Sequence, residues 1–338
     1  MSETGTHIQP FATLADGTTV QAVTITGGGA TATVLTRGAT LQDFRIQGVD
    51  QSLVLGSAGI AAYAGPMRYF GAIVGPVANR IAGGRMPLGG QVFDLDRNEA
   101  GKTTLHGGST GFSEQDWTIA ETTPNTVVLT LEHPDGRDGF PGNIAVRARY
   151  ALDDAGVLTV EITGTTDAPT YFGPAFHGYW TLNGAGDLSA HRMTIPAERY
   201  LAVDADLIPQ DAPTPVAGTR FDFREPHAPD PALDHNFCFD GAQGDMRLVC
   251  RLETDALRLE IESTEIGLQV YTGGALDTAP FAGHEGRPYG PGAGIALEPQ
   301  FWPDTPNHPD YPGSVLSPGE TYRQVTRFAV TRQTKRPL

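Results

Sequence analysis

Apolar and polar side chains alternate with a period of two through long stretches of this chain. In residues 144–152 (IAVRARYAL) every second residue is apolar, and both arginines fall on the opposite face. Residues 257–262 (LRLEIE) alternate in the same way. Because successive side chains of a β-strand point to opposite faces of the sheet, this pattern predicts strands with one buried face.

Further stretches carry the same period, among them 158–162, 248–252, 20–25, 31–46, 127–131 and 321–330. The best candidate for a helix is short, residues 58–64, and is ended by Gly65 and Pro66. Many short strands separated by turns are typical of a β-sandwich or a β-barrel. We therefore predict an all-β protein of mainly antiparallel strands, with a single domain over residues 1–338.

Composition narrows the choice of partners. The chain has 42 glycines and 26 prolines, which suits tight turns, and its net charge is −16. An acidic surface repels phosphate backbones and anionic lipids, so we expect neither nucleic acid nor a membrane as a partner. The same charge argues more weakly against a phosphorylated substrate.

The cysteines and the amino-terminal residues favour a cytoplasmic protein. Cys238 and Cys250 are the only cysteines; they are too few for a disulfide framework, although their spacing leaves one pair open. Residues 1–10 (MSETGTHIQP) lack the basic and apolar regions of a signal peptide. We expect a soluble, cytoplasmic monomer or homodimer.

Five polar segments rich in glycine and proline separate the predicted strands, at 65–85, 98–112, 173–184, 221–236 and 301–313. Loops held by a rigid sheet often carry binding residues. Each segment contains a His, Arg, Asp or Asn that strand packing does not require. We therefore place the candidate site in these segments.

Asn79 and Arg80 (GPVANRIAGG) and His106 (TTLHGG) precede glycine pairs. The fixed donors of an arginine suit hydroxyls or a carboxylate, and glycines let the backbone approach a ligand closely. A surface arginine and a capping or core histidine are the structural alternatives.

His177 and Asp234 allow two interpretations each. His177 lies within an aromatic stretch (GPAFHGYWTLNG), either as a core histidine or as a proton donor beside an apolar platform. In LDHNF an extended chain would place Asp234 and Asn236 on one face and His235 on the other. Asp234 then suits vicinal hydroxyls, and a turn motif is the alternative.

Glu298 follows an apolar run in GIALEPQFWPD, so a strand buries its carboxylate or delivers it to the floor of a pocket. Burying a lone carboxylate is costly unless it is bonded, protonated or functional, and burial would raise its pKa toward that of a general base. A buried ion pair is the alternative. The nine histidines are scattered without the spacing of a zinc site, so we expect no metal.

A series of motifs in fixed order resembles the aldose 1-epimerases, the galactose mutarotase family. The series is GPVANRIAGG, TTLHGG, FHGYWTLNG, PVAGTRFDFR, LDHNFCFDG, LQVYTGG and LEPQFWPDTPNHPDYPGSVLSPGETYR. It runs from about residue 20 to about residue 330. The resemblance implies a large β-sandwich with an open cleft for a monosaccharide and an isomerase that interconverts the α and β anomers of a free aldose without a cofactor.

The resemblance also implies roles for single residues. Glu298 would be the general base and His177 the general acid, whereas four residues would hold the sugar: Asn79, Arg80, His106 and Asp234. Opening a pyranose removes the proton of the C1 hydroxyl and protonates ring O5. A carboxylate and an imidazolium suit these steps, since the ordinary pKa of histidine, ~6.5, lies near neutrality.

Three positions depart from the usual family pattern. Phe176 stands where members often have Asn, Gly178 follows the histidine, and Pro76 stands where many have Arg. These changes remove hydrogen-bonding groups beside the presumed cleft, which leaves a pentose, a deoxysugar or a modified sugar open as the substrate. Two further hypotheses are a non-catalytic sugar-binding protein on the same scaffold and an epimerase of a modified or phosphorylated sugar, with Arg80 as an anion clamp.

Overall fold

The computed structural model describes residues 7–184, 186–210 and 212–333. In this part of the chain the regular structure is almost entirely β-strand, and the predicted all-β class is confirmed. The one α-helix described, α1 (Ile60–Tyr63), is shorter than the predicted 58–64. Among the same residues, no helix has both the length and the apolar character needed to cross a membrane.

The first strands, in chain order, are β1 (His7–Thr13), β2 (Thr19–Gly27), β3 (Ala30–Leu35), β4 (Leu41–Ile46), β5 (Ile73–Val74), β6 (Arg80–Ile81), β7 (Arg85–Leu88), β8 (Gln91–Asp94) and β9 (Thr104–Leu105). The next are β10 (Thr118–Thr123), β11 (Thr126–His133), β12 (Ile144–Leu152), β13 (Leu158–Thr166), β14 (Thr170–Tyr171), β15 (Ala175–Phe176), β16 (Tyr179–Trp180), β17 (Arg192–Thr194) and β18 (Arg199–Tyr200). The last are β19 (Thr214–Pro215), β20 (Asp234–Cys238), β21 (Arg247–Glu253), β22 (Leu257–Ser263), β23 (Gly267–Tyr271), β24 (Ile295–Gln300), β25 (Val315–Leu316) and β26 (Tyr322–Arg332).

The largest sheet has eight antiparallel strands in the order β10-β11-β12-β13-β26-β22-β21-β17. It contains all the longer strands that the period-two pattern predicts after residue 120. In β12 the residues from Ile144 to Leu152 pair in register with Thr166 to Leu158 of β13. The alternating apolar face of this sheet packs into the main core.

A four-stranded antiparallel sheet, β1-β2-β3-β4, precedes it in the chain. The stretch predicted at 31–46 forms two strands, β3 and β4, because the chain reverses between them. Gly38 and Ala39 adopt positive φ angles of 65° and 48° in that reversal.

The six-stranded sheet, β16-β24-β23-β20-β18-β19, carries the candidate site. One face contributes Leu268, Val270, Ile295 and Leu297 to the main core. Glu298 lies on the opposite face of β24, directly across from Gln269 of β23. Every residue of β24 is buried, so neither face of this strand is exposed.

Short strands lie within the segments that the sequence predicts as loops. β5, β6, β9, β15 and β16 have two residues each, too few for an alternating pattern to be visible. Near the site, Phe176 and Trp180 pack against Phe328 of β26, with ring centroids 5.4 and 4.8 Å apart. Both cysteines are free and buried.

Candidate active site

A cleft of about 430 Å³ opens over the outer face of the six-stranded sheet. The structure brings together in its wall all six residues singled out from the sequence, namely Asn79, Arg80, His106, His177, Asp234 and Glu298. They come from five separate stretches of the chain, each at most two residues long. The cleft is of the size that small-molecule sites have.

His177 and Glu298 form a buried pair at the floor of the cleft. His177 Nε2 lies 3.5 Å from Glu298 Oε1, and the two side chains are 5% and 2% exposed. The backbone of His177 is fixed between β15 and β16, since its N–H donates to the Ala72 carbonyl and its own carbonyl accepts from Gly71. Glu298 is held next to it because Tyr179 of β16 pairs with Ala296 of β24.

The neighbours of His177 explain its place in an aromatic segment. Phe176 faces the core, whereas His177 and Tyr179 face the cleft. A Cβ on Gly178 would lie 2.5 Å from the Phe176 ring, so only glycine fits there without displacing that ring. Neither Phe176 nor Pro76 lines the cleft. In this chain, therefore, neither position contributes a side chain to the wall of the cleft.

His106 is a hydrogen-bond donor toward the cleft. Its Nδ1 accepts the backbone N–H of Asn79 at 3.1 Å, and its own backbone N–H donates to the Asn79 carbonyl at 3.0 Å. A neutral imidazole whose Nδ1 accepts carries its proton on Nε2. Both residues adopt positive φ, 60° at Asn79 and 53° at His106, which this reciprocal pair holds in place.

The hydrogen bond from the Asn79 backbone N–H to His106 Nδ1 also bears on metal binding. His106, His177 and Glu298 place potential ligand atoms within 4.8 Å of one another. A histidine ligates a metal through a deprotonated nitrogen, and the Asn79 N–H keeps the proton of His106 on the nitrogen that remains for the cleft. This set therefore suits a hydroxyl-bearing ligand better than a metal ion.

Arg80 is fixed by two carboxylates. Its Nε and Nη2 donate to Glu99 Oε2 and Oε1, each at 2.8 Å, and its Nη1 lies 3.7 Å from Asp234 Oδ2. Thr103 donates to Glu99 at 2.7 Å, and Gln269 donates to Asp234 Oδ1 at 2.6 Å. Arg80 is thus neither a surface residue nor a free cation.

Burial sets the protonation of the central pair. It raises the pKa of Glu298 well above the ordinary carboxyl value; the charge of Asp234 adds to this, and that of Arg80 opposes it. Burial also lowers the pKa of His177 to about 4. At neutral pH both groups therefore favour their neutral forms, and not the carboxylate and imidazolium that their ordinary pKa values suggest. Burial lowers the pKa of His106 too; repulsion from His177, when that residue is protonated, and from the Arg80 charge act in the same direction.

Several cleft residues escaped the sequence analysis. The Tyr69 ring packs on both imidazoles, with centroids 4.7 Å from that of His106 and 5.9 Å from that of His177. Tyr271 and Gln269 belong to the motif LQVYTGG, whose place in the ordered series was the available signal. Leu207 gives no signal in the sequence, because its segment has neither alternation nor a motif.

Sequence comparison places this chain among known proteins over most of its length. The family model described as aldose 1-epimerase matches residues 21–329. The galactose mutarotase of Mus musculus is 36% identical over 327 residues, covering 92% of this chain and 94% of that protein. The aldose 1-epimerase of Escherichia coli K12 is 35% identical over 321 residues, covering 89% and 92%.

Solved structures share the fold. A C. elegans homologue of aldose epimerase superposes with a TM-score of 0.86 at 27% identity, covering 93% of this chain and 99% of that one. The galactose 1-epimerase of Lactobacillus acidophilus gives a TM-score of 0.83 at 25% identity, covering 97% and 99%. The match of the family model over nearly the whole chain decides the assignment: this chain belongs to the aldose 1-epimerase family.

Proposed function

We propose that this protein interconverts the α and β anomers of a free aldose by acid–base catalysis, with Glu298 as the base and His177 as the acid. The observation that carries the proposal is the buried pair at the floor of the cleft, 3.5 Å from nitrogen to oxygen. Glu298 Oε2 and His177 Nδ1 have no hydrogen-bond partner among the described residues. One carboxylate and one imidazole therefore converge on a narrow space, as a reaction at two oxygens of one carbon requires.

The proton movements balance within this pair. The pair holds one proton, which first moves from Glu298 to His177 across their 3.5 Å separation. Glu298 then takes the proton of the C1 hydroxyl while His177 gives its proton to ring O5; the C1–O5 bond breaks and an aldehyde forms at C1. Rotation about the C1–C2 bond turns the aldehyde, and both proton transfers reverse as the ring closes on the other face. In the open-chain state both protein groups are neutral, the forms that burial favours.

The remaining polar residues would orient the sugar. His106 offers Nε2–H as a donor, and Asp234 offers a carboxylate to a hydroxyl. Asn79 Oδ1 already accepts the Arg80 backbone N–H at 2.8 Å, which leaves its amide N–H groups to donate. Arg80, held by Glu99, presents its free N–H groups from a fixed position.

Two observations weigh against the other functions. A non-catalytic sugar-binding protein would not need an acid and a base paired in a buried position. The anion clamp proposed for a phosphorylated sugar would require a free Arg80, but Glu99 engages two of its N–H groups. Because the charge of Arg80 is already balanced, we favour a neutral aldose as substrate.

The cellular and quaternary settings remain proposals. Two free buried cysteines are consistent with a reducing compartment, which supports a cytoplasmic location. We keep a single domain over residues 1–338 and a monomer or homodimer as working hypotheses.

Anomer exchange followed by NMR tests the function directly. Galactose, glucose, xylose and arabinose are each measured with and without protein at neutral pH, and the Glu298→Gln variant serves as a control for trace base catalysis. We expect acceleration for at least one sugar, and the fastest identifies the substrate. A folded protein that binds a sugar without accelerating any exchange would be a binding protein instead.

A further inference from the structure

A second cavity lies beside the cleft. It has a volume of about 220 Å³, and its wall includes Glu99, Lys102, Thr103 and Asp206. Arg80 and Leu207 line both this side cavity and the main cleft. These two side chains therefore form the partition between the two spaces.

Only one half of this partition is tied into the charge network. The guanidinium of Arg80 is held by Glu99 on the side-cavity side and lies near Asp234 on the cleft side. Leu207 contributes an apolar side chain that is partly exposed. Replacing Leu207 would join the two spaces without breaking an ion pair.

The backbone at Leu207 is strained. Its φ is 60°, in the left-handed region that costs a residue with a Cβ ~1–2 kcal/mol. The tight turn that imposes this angle is closed by Asp204, whose Oδ1 accepts the N–H groups of Asp206 and Ile208 at 2.8 and 3.0 Å. Glycine or asparagine would fit the angle at less cost, so the presence of leucine there points to a use for its side chain.

An ion pair places the turn over the side cavity. Lys102 Nζ lies 2.7 Å from Asp206 Oδ1, which joins the turn to the loop that carries Glu99. Both side chains are more than half exposed, at 61% and 53%, so the pair contributes little to stability. The position of Leu207 in the partition is therefore set mainly by the turn that Asp204 closes, and not by this pair.

Leu207 adjoins Arg80 at the boundary between the cleft and the side cavity. Asp234, next to Arg80, belongs to β20, which is separated from β24 and its Glu298 by one intervening strand. Two strand spacings amount to ~9–10 Å. A sugar with C1 and O5 at His177 and Glu298 would therefore direct hydroxyls remote from C1 toward the partition.

We propose that Leu207 is a specificity-determining residue that closes the distal end of the sugar cleft and excludes aldoses carrying a bulky substituent on a hydroxyl remote from C1. This inference rests on the proposed epimerase function. It adds to that function a limit on the size of the sugar's substituents, which the Leu207 side chain sets by separating the cleft from the side cavity.

The test compares Leu207→Ala with the wild type. The substrates are the fastest aldose of the NMR panel and its mono-O-benzyl ethers, each with the benzyl group on one hydroxyl other than that of C1. For at least one ether, we expect Leu207→Ala to raise the ratio of kcat/KM, ether over parent sugar, by about tenfold or more. For the parent sugar, kcat should stay within about threefold of the wild-type value, because the leucine side chain carries no group that transfers a proton.

Two matched variants separate the side chain from its surroundings. Leu105→Ala removes an apolar group that lines the main cleft alone, and Lys102→Met breaks the ion pair but keeps Leu207. Neither should raise the ratio. An unchanged ratio in a folded Leu207→Ala, or an equal rise in Lys102→Met, would overturn the proposal. Failure of the wild type to accelerate exchange of any free aldose would instead refute the epimerase function itself.

Discussion

At the scale of single residues, Glu298 and His177 are the groups on which we propose that turnover depends. Each is buried and within 3.5 Å of the other. We expect Glu298→Gln and His177→Asn each to lower the rate of anomer exchange by at least ~10²-fold, because each removes one of the two proton carriers. NMR exchange rates give the effect, and circular dichroism checks that both variants fold. Near-wild-type rates in either variant would exclude that residue from proton transfer.

The pH dependence of kcat/KM follows from the same burial. The pair is active when it holds one proton, and the raised pKa of Glu298 keeps that proton bound at neutral pH. As pH falls, a second proton binds His177, whose pKa burial lowers to about 4, and the pair can no longer accept the C1 hydroxyl proton. We therefore expect activity to persist to about pH 5 and to be lost with an apparent pKa near 4.

This profile is measured for kcat/KM between pH 3.5 and 8, over the range where circular dichroism shows a folded protein. A loss of activity centred near the ordinary histidine pKa of ~6.5 would contradict the lowered pKa of His177. Such a result would mean that water or sugar keeps the His177 side chain solvated in the working enzyme.

Residue types were predictable from the sequence, but their partners were not. The motif order predicts His177 and Glu298 as the reacting groups, because the chemistry restricts which side chains carry protons. Glu99 fixes Arg80 through a contact between residues 19 positions apart in the chain, and no hydrophobic periodicity in the sequence indicates such a contact. The lowered pKa of His177 likewise depends on how completely other elements bury it.

At the scale of elements, a strand was predictable when its two faces differ. β12 and β22 have one core face and one partly exposed face, and their alternation is plain. β24 is buried throughout and reads as a continuous apolar run ending in Glu298. Strands of two residues, such as β15 and β16, are fixed by tertiary pairing and stay hidden.

Glu265, between β22 and β23, should destabilise the fold at alkaline pH. Its side chain is fully buried; Oε1 accepts from Tyr322 and Gln243 at 2.9 and 3.2 Å, and Oε2 has no partner among the described residues. Burial raises its pKa to about 7. The unfolded chain ionises at lower pH, so stability falls as pH rises from about 4.5 to about 7 and the penalty persists above that.

Glu265→Gln removes this ionisation while keeping the shape of the protonated carboxyl. We expect it to raise the free energy of unfolding at pH 8 by about 1–3 kcal/mol, and by clearly less at pH 5. Denaturant titrations at the two pH values measure the difference. Glu132→Gln, at an exposed position of β11, is the matched control and should show no such pH dependence. An equal effect of Glu265→Gln at both pH values would mean that packing rather than charge is responsible.

At the scale of the whole molecule, composition indicated the chemistry of the ligand better than the arrangement of the sheets. The excess of glycine and proline and the net charge of −16 are properties of the whole chain. They predicted a turn-rich β-protein and argued against nucleic acid, membranes and, more weakly, a phosphorylated substrate as partners. The stacking of the sheets follows instead from contacts such as that between Trp180 and Phe328, distant in sequence, which no local pattern reveals.

The overall charge and the cleft act together against anionic sugars. Glu99 and Asp234 balance Arg80 and leave an excess of carboxylates around the sugar. We expect kcat/KM for the preferred neutral aldose to change by less than about twofold between 0.01 and 1 M salt, where the screening length falls from ~30 to ~3 Å.

A 6-phosphate or a uronic acid of the same sugar should have a much lower kcat/KM that rises with salt, since salt screens the repulsion. NMR exchange at the two salt concentrations measures both. A phosphorylated sugar preferred at low salt would show that Arg80 leaves Glu99 to bind anions, and would restore the sugar-phosphate hypothesis.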